Sequence, residues 1–160
     1  MSFEIRIDDL RGEAVAALLR EHLAHMHEVT PEKSVHALDL EALRAPDITF
    51  WTIWDGDALV GCGALREIDP THGEIKSMRT VEAHRGRGIA SRVVEHLLEE
   101  ASRRGYTRVS LETGAFPAFA PARALYARHG FVECAPFAGY GPDENSVFMT
   151  RVVDPEADTP

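Results

Sequence analysis

Residues 81–90, Val-Glu-Ala-His-Arg-Gly-Arg-Gly-Ile-Ala, join a strand-like run at 74–81 to an amphipathic helical run at 88–104. Two glycines let this turn adopt conformations other residues resist and let a ligand approach the backbone closely. The first helical turn leaves N–H groups without intrahelical partners, and the helix dipole places about half a positive charge there. Such a mouth suits an anion, most readily a pyrophosphate. The competing reading is a tight turn with solvated arginines. The spacing is not that of a P-loop, because no Gly-Lys-Ser/Thr comes after it, and Gly-x-Gly-x-x-Gly is missing too.

The run downstream of the turn restricts the topology. Ile89, Ala90, Val93, Val94, Leu97, Leu98 and Ala101 recur at helical spacing, opposite Arg92, Glu95, Glu99 and Arg103. Gly105 suits the position after a helix. Residues 106–113 alternate, with Val109 and Leu111 on one face and Arg108, Ser110 and Glu112 on the other. Strand, turn, helix and strand make a βαβ unit, so the two strands are expected to be parallel neighbours.

The rest of the chain reads as short elements. Phe3, Ile5 and Ile7 predict a half-buried strand. Asp8 and Asp9 are placed to cap a helix with Val15, Leu18, Leu19, Leu23 and Met26 on one face. A second short helix is expected from Ser34 to Arg44. Residues 48–54 and 58–66 predict a hairpin around Asp55-Gly56-Asp57. Gly61 and Gly63 within it imply a bulge or a close backbone approach. A fourth helix is expected at 118–129, then strands at 131–135 and 146–153 separated by a loop around Tyr140. The span 1–153 reads as one domain and 154–160 as a disordered tail.

Bulk properties exclude whole classes of function. A formal charge of −9 argues against nonspecific nucleic-acid binding and against an anionic membrane surface. Arg85 and Arg87 are a local basic spot on that acidic chain. No apolar run approaches the roughly 18 residues of a membrane span. No basic-then-apolar start marks a signal peptide, so a cytoplasmic location is expected. Cys62 and Cys134 form neither a disulfide framework nor a zinc pattern. His22, His25, His27 and His36 cluster near the first helices, but the first three do not share one helix face. No metal site is expected.

Two motifs give the chain a family resemblance. Arg85-x-x-Gly88-x-Ala90 is similar to the coenzyme A turn of the GNAT superfamily of N-acetyltransferases. The downstream run Ala122-x-x-Leu125-Tyr126-x-x-x-Gly130-Phe131 resembles that superfamily's helix and the strand after it. The expected element order matches from about Phe3 to Val153. The resemblance implies an α/β GNAT fold: a mixed, mostly antiparallel sheet with a central splayed parallel pair, flanked by about four helices. It also implies an acetyl-CoA-dependent N-acetyltransferase acting on a primary amine of a small molecule or peptide, with a homodimer as a family-level expectation. A non-catalytic acyl-CoA-binding or interaction module on the same fold is the alternative. Many members carry Asn where this chain has Phe119, so that cofactor contact is not made by this side chain.

The resemblance assigns the pyrophosphate to the backbone of Gly86, Arg87, Gly88, Ile89 and Ala90, with Arg85 nearby. It assigns the pantetheine arm to the backbone of Met78, Arg79, Thr80 and Val81. Tyr126 matches the family's general acid; its other reading is a core aromatic. A neutral amine requires a base. Glu74 stands eleven residues before Arg85, the offset of a catalytic glutamate in some members. Its other reading is a structural pair with Lys76, on the same strand face. Glu112 is the second candidate base, and His22, His25 and Tyr140 are candidate lining of the acceptor pocket.

Overall fold

The computed structural model describes residues 3–29 and 41–155. One seven-stranded sheet runs through it in the order β1-β2-β3-β4-β5-β7-β6. The strands are β1 (Glu4–Ile7), β2 (Ile48–Asp55), β3 (Ala58–Asp69), β4 (His72–Thr80), β5 (Arg108–Gly114), β6 (Val132–Cys134) and β7 (Ser146–Val152). Three α-helices lie among the described residues: α1 (Glu13–Val29), α2 (Ile89–Arg103) and α3 (Ala120–Arg128). All pairings are antiparallel except β4 with β5. This is the mixed sheet with a central parallel pair that the βαβ unit requires.

The parallel pair is short. β4 and β5 pair from His72↔Arg108 to Ile75↔Leu111 and no further. Beyond that point β4 stays on β3 as far as Thr80, while β5 stays on β7 as far as Gly114. A register shift in the β3–β4 ladder accompanies the divergence, with Cys62 opposite Arg79 but Ala64 opposite Lys76. The extra residue lies in β4, where Ser77 has φ +55°. A bulge of this kind bends its strand and raises its twist, which steers β4 away from β5.

The two sheet faces bury different things. On one, α2 packs Ile89, Val93, Val94, Leu97 and Ala101 against Val60, Leu65, Ile75 and Leu111. Each of the valine, leucine and isoleucine side chains contributes about 1.5–3 kcal/mol on burial, and these dominate the core. Gly61 and Gly63 are where β3 meets this layer. A Cβ on Gly63 would stand 2.7 Å from Val93 Cγ1 and 2.8 Å from Met78 Sδ. Both expectations for this stretch hold: the two glycines allow the close approach, and β3 carries an extra residue at Val60, where Ile53 faces Gly61 but Trp54 faces Leu59. On the other face α1 sets Val15, Leu18 and Leu19 against Leu43, Phe50, Cys62 and Ala64.

Several local expectations need correction. Ile7 is 72% exposed, so β1 is not half-buried along its length. Asp8 and Asp9 accept from the N–H groups of Leu10 and Arg11 and shape the turn, whereas the first helical hydrogen bond of α1 is accepted by Gly12. Tyr106 precedes β5 rather than opening it; its ring covers Gly73 and its hydroxyl donates to Glu67 at 2.8 Å. The fourth expected helix begins with a 3-10 turn, Pro117–Phe119, because Pro121 favours the first turn of an α-helix. Of the helix expected from Ser34, only a 3-10 turn, Ala42–Arg44, falls within the described residues. The expected tail lies mostly outside them.

Candidate active site

The turn after β4 has the form its glycines suggested. Gly86 and Gly88 both hold positive φ, +82° and +77°, and a Cβ at either would meet open space. The N–H groups of Gly86, Gly88, Ile89 and Ala90 find no acceptor among the described residues. The arginines divide the work. Arg85 is exposed. Arg87 instead bonds Asp55 at 2.8 Å and His84 Nδ1 at 2.6 Å, with its guanidinium over the Phe3 ring. The side chain of Arg87 thus ties the turn to β1 and β2; its expected part in a basic spot falls to Arg85 alone.

Where β4 and β5 part, a cleft of ≈ 140 Å³ opens. His22 and Met26 of α1, Glu74, Lys76 and Ser77 of β4, and Glu112 of β5 line it. Met78, Gly114, Phe119, Ala122 and Tyr126 are also in the lining. The cleft therefore reaches from α1 to α3 across the gap between β4 and β5. Val81 N–H is already donated to Val60 O at 2.9 Å, so this amide points to β3. Alternation along the strand then turns Thr80 N–H toward the gap.

Tyr126 is 6% exposed, packs edge-on against Phe131 at 5.9 Å, and has its phenol pushed well above the usual range by burial. Its hydroxyl makes no hydrogen bond with another described residue. Phe119 stacks on Gly114 so closely that no side chain fits at that glycine.

Glu74 is 1% exposed and sits in a knot of charges. Lys76 Nζ donates to its Oε2 at 3.2 Å, and Tyr140 OH donates to the same oxygen at 2.7 Å. Lys76 Nζ also donates to Tyr140 OH at 2.7 Å, and Arg66 Nε lies 3.6 Å from Oε1. The pairing of Glu74 with Lys76 is real, and Glu74 lines the cleft as well. Burial, then the Glu74 charge, push the Tyr140 phenol far up, so it stays a donor. Glu112 accepts from Ser146 OH at 2.8 Å. His22 is driven down to about 4 by burial, and then by the charges of Arg79 and His25, so its imidazole is neutral near pH 7.

The fold thus brings His22, Glu74, Met78, Glu112 and Tyr126 together at one cleft. His25 does not line it, and Tyr140 reaches it through Glu74. His36 and the side chain of His27 lie outside what is described. Ser77, Lys76, Asn145 and Ser146 line the cleft without having been singled out in the sequence. Only the Glu-x-Lys spacing signalled one of them. Cys62 is fully buried, its thiol pushed up to about 12 and donating to Ser77 O at 3.3 Å, which suits a structural thiol.

Residues 14–131 match the model of the Acetyltransferase (GNAT) family. The chain belongs to the GNAT family. It is 57% identical over 147 residues to the uncharacterized N-acetyltransferase YsnE of Bacillus subtilis, across 92% of this chain and 97% of that one. Its structure matches a protein described provisionally as an acyl-CoA N-acyltransferase from Klebsiella pneumoniae, with a TM-score of 0.76, 26% identity, and 94% and 97% of the two chains covered. The PaiA N-acetyltransferase of Thermoplasma acidophilum, solved in complex with coenzyme A, shares the fold with a TM-score of 0.72 at 15% identity, over 95% and 99% of the chains.

This GNAT protein is accordingly an acetyl-CoA-dependent acyltransferase. Its residues fit that cosubstrate. Unpartnered N–H groups at a positive-φ glycine turn match a diphosphate, and the gap between β4 and β5 leaves room for an extended arm.

Proposed function

We propose that this GNAT protein moves the acetyl group of acetyl-CoA to a primary amine of a small molecule or peptide, by direct attack within a ternary complex. The single observation behind this is the cleft, which lies at the gap between β4 and β5 and is lined by Tyr126, the buried Glu74 and the half-buried Glu112. Acetyl-CoA supplies an activated thioester; the chain supplies position and proton traffic.

The amides of Gly86 to Ala90, with Arg85, hold the diphosphate. The backbone from Met78 to Thr80 aligns the arm and polarises the acyl oxygen, the kind of preorganised donor that dominates acyl transfer. An alkylamine reaches the site largely as ammonium, since its pKa is about 10.4. Glu74 Oε1 and Glu112 attract it and take its excess proton through water. Tyr126, kept a phenol by burial, gives a proton to the departing sulfur. A thiol-carrying covalent route through Cys62 has no support, because that thiol is sealed in the α1-side core.

The test is thiol release from acetyl-CoA over a panel of primary amines. Turnover with at least one amine, with the initial-rate patterns of a ternary complex, is expected. Tight coenzyme A binding with no turnover on any amine overturns the catalytic reading in favour of an acyl-CoA-binding module.

A further inference from the structure

Buried polar atoms almost always have a partner, so those without one mark places where water or a ligand belongs. Among the described residues five buried side-chain atoms make no hydrogen bond: His22 Nδ1, Glu74 Oε1, Ser77 Oγ, Arg79 Nε and His96 Nε2. His96 belongs to α2 and packs edge-on to Trp51, on the other face of the sheet. The remaining four belong to α1 and β4, three of them in the cleft lining and Arg79 next to it. His22, Glu74 and Ser77 line the cleft directly. Arg79 lies two residues beyond Ser77 with its side chain 9% exposed, and its charge acts on His22.

These atoms differ in what they accept. Glu74 Oε1 is an acceptor only, its nearest cation the Arg66 guanidinium at 3.6 Å, beyond hydrogen-bond reach, and Arg79 Nε is a donor only. The Ser77 hydroxyl and the His22 ring serve as either. A ligand that satisfies all four must present a donor toward Glu74 and an acceptor toward Arg79. Charge settles the type of each group: a carboxylate faces an ammonium best, and a guanidinium faces a carboxylate best. The internal partner of Arg79 is Glu21, which bonds its Nη2 at 3.1 Å and is itself 53% exposed. Nε is left for another anion. Ser77 is held at φ +55° in the bulge, its carbonyl bonded by the Cys62 thiol. A non-glycine residue kept in that region is strained, and such strain clusters at ligand sites.

We infer that the acetyl acceptor is a small zwitterionic amine, an amino acid or a close relative, whose amino group faces Glu74 and whose carboxylate is received by Arg79 and Ser77 beside His22. This deepens the acetyl-transfer reading and rests on it for the word acceptor. It separates a free amino acid from a peptide N-terminus, which has no carboxylate beside its amine.

The experiment measures binding and turnover separately. The coenzyme A-saturated protein is titrated calorimetrically with N-acetyl forms of glycine, alanine, leucine, phenylalanine, glutamate and lysine, and with their carboxamides. Acids are expected to bind about tenfold tighter than the matching amides or better, as a charge-assisted contact predicts. Arg79→Gln should erase that ratio, Arg79→Lys should retain part of it, and Ser77→Ala should reduce it, with thermal melting as the folding control. Equal binding of acids and amides, no binding by any acid, or an intact ratio in both Arg79→Gln and Ser77→Ala overturns the inference. Turnover of free amino acids from acetyl-CoA is measured in parallel. Selective binding of acids without any acetylation leaves the ligand class standing and removes the transfer reading; acetylation of amino amides as fast as of amino acids does the reverse.

Discussion

Tyr126→Phe isolates one hydroxyl. The ring sits 6% exposed against Phe131 at 5.9 Å, and phenylalanine keeps that packing. The hydroxyl has no partner among the described residues, so its removal orphans nothing there, and the melting temperature should stay within about 2 °C. Coenzyme A affinity should change less than about twofold, because the proposed diphosphate site is the amide turn before α2 and not Tyr126. Turnover is different. A positioned general acid contributes about 100-fold to 10,000-fold, and the lower bound corresponds to about 2.7 kcal/mol in the barrier. The assay is kcat by thiol release at saturating acetyl-CoA and amine, from pH 6 to pH 10. Burial holds the phenol proton above its ordinary 10, so the wild-type protein should show no alkaline loss from this group in that range. A Tyr126→Phe variant with kcat within twofold of wild type refutes the acid role and returns Tyr126 to the core.

Gly88→Asp adds a charge and a side chain at φ +77°; acetyl-CoA affinity should fall about tenfold or more, measured by calorimetry, and Gly88→Ala should separate the strain of about 1–2 kcal/mol from the charge. Tyr140→Phe removes the hydroxyl that bridges Lys76 and Glu74; urea unfolding should report a loss of about 1–3 kcal/mol, and an unchanged midpoint would show the bridge to be incidental. His22 titrates near 4 folded against an ordinary 6.5, so protonation favours the unfolded chain. Its contribution is full above pH 6.5 and is lost as pH falls toward 4, by about 3 kcal/mol. His22→Gln should flatten that part of the stability profile, and an identical acid slope in both proteins would contradict the buried neutral imidazole.

The local elements were legible because their signals are local. The helical spacing from Ile89 to Ala101 marks the face that α2 buries, and the two glycines before it hold the positive φ their positions suggested. The βαβ reading required β4 and β5 to be parallel, and they are. The boundaries moved where a tertiary contact took over. Tyr106 has strand-forming chemistry but serves as a lid on Gly73, and the first turn of the fourth helix tightened at Pro117–Phe119. At the site, Tyr126, Glu74 and Glu112 were named from motif and spacing. The bond from the Arg87 side chain to Asp55 was not legible, because the two lie 32 residues apart.

Sequence alone determined that a glycine turn with unpartnered amides would stand between a strand and a long amphipathic helix, since backbone freedom and periodicity act over a few residues. It could not determine that β4 carries an extra residue at Ser77, because neither Ser77 nor its neighbours depart from strand chemistry. That bulge lies where the parallel strands part and the cleft opens, and His22, Glu74 and Ser77 line the cleft with unsatisfied atoms. Nor could it place the Tyr140 hydroxyl on Glu74 across 66 residues of chain. Contacts of that span are set by which elements the sheet makes neighbours, and they decide what surrounds Glu74 in the cleft.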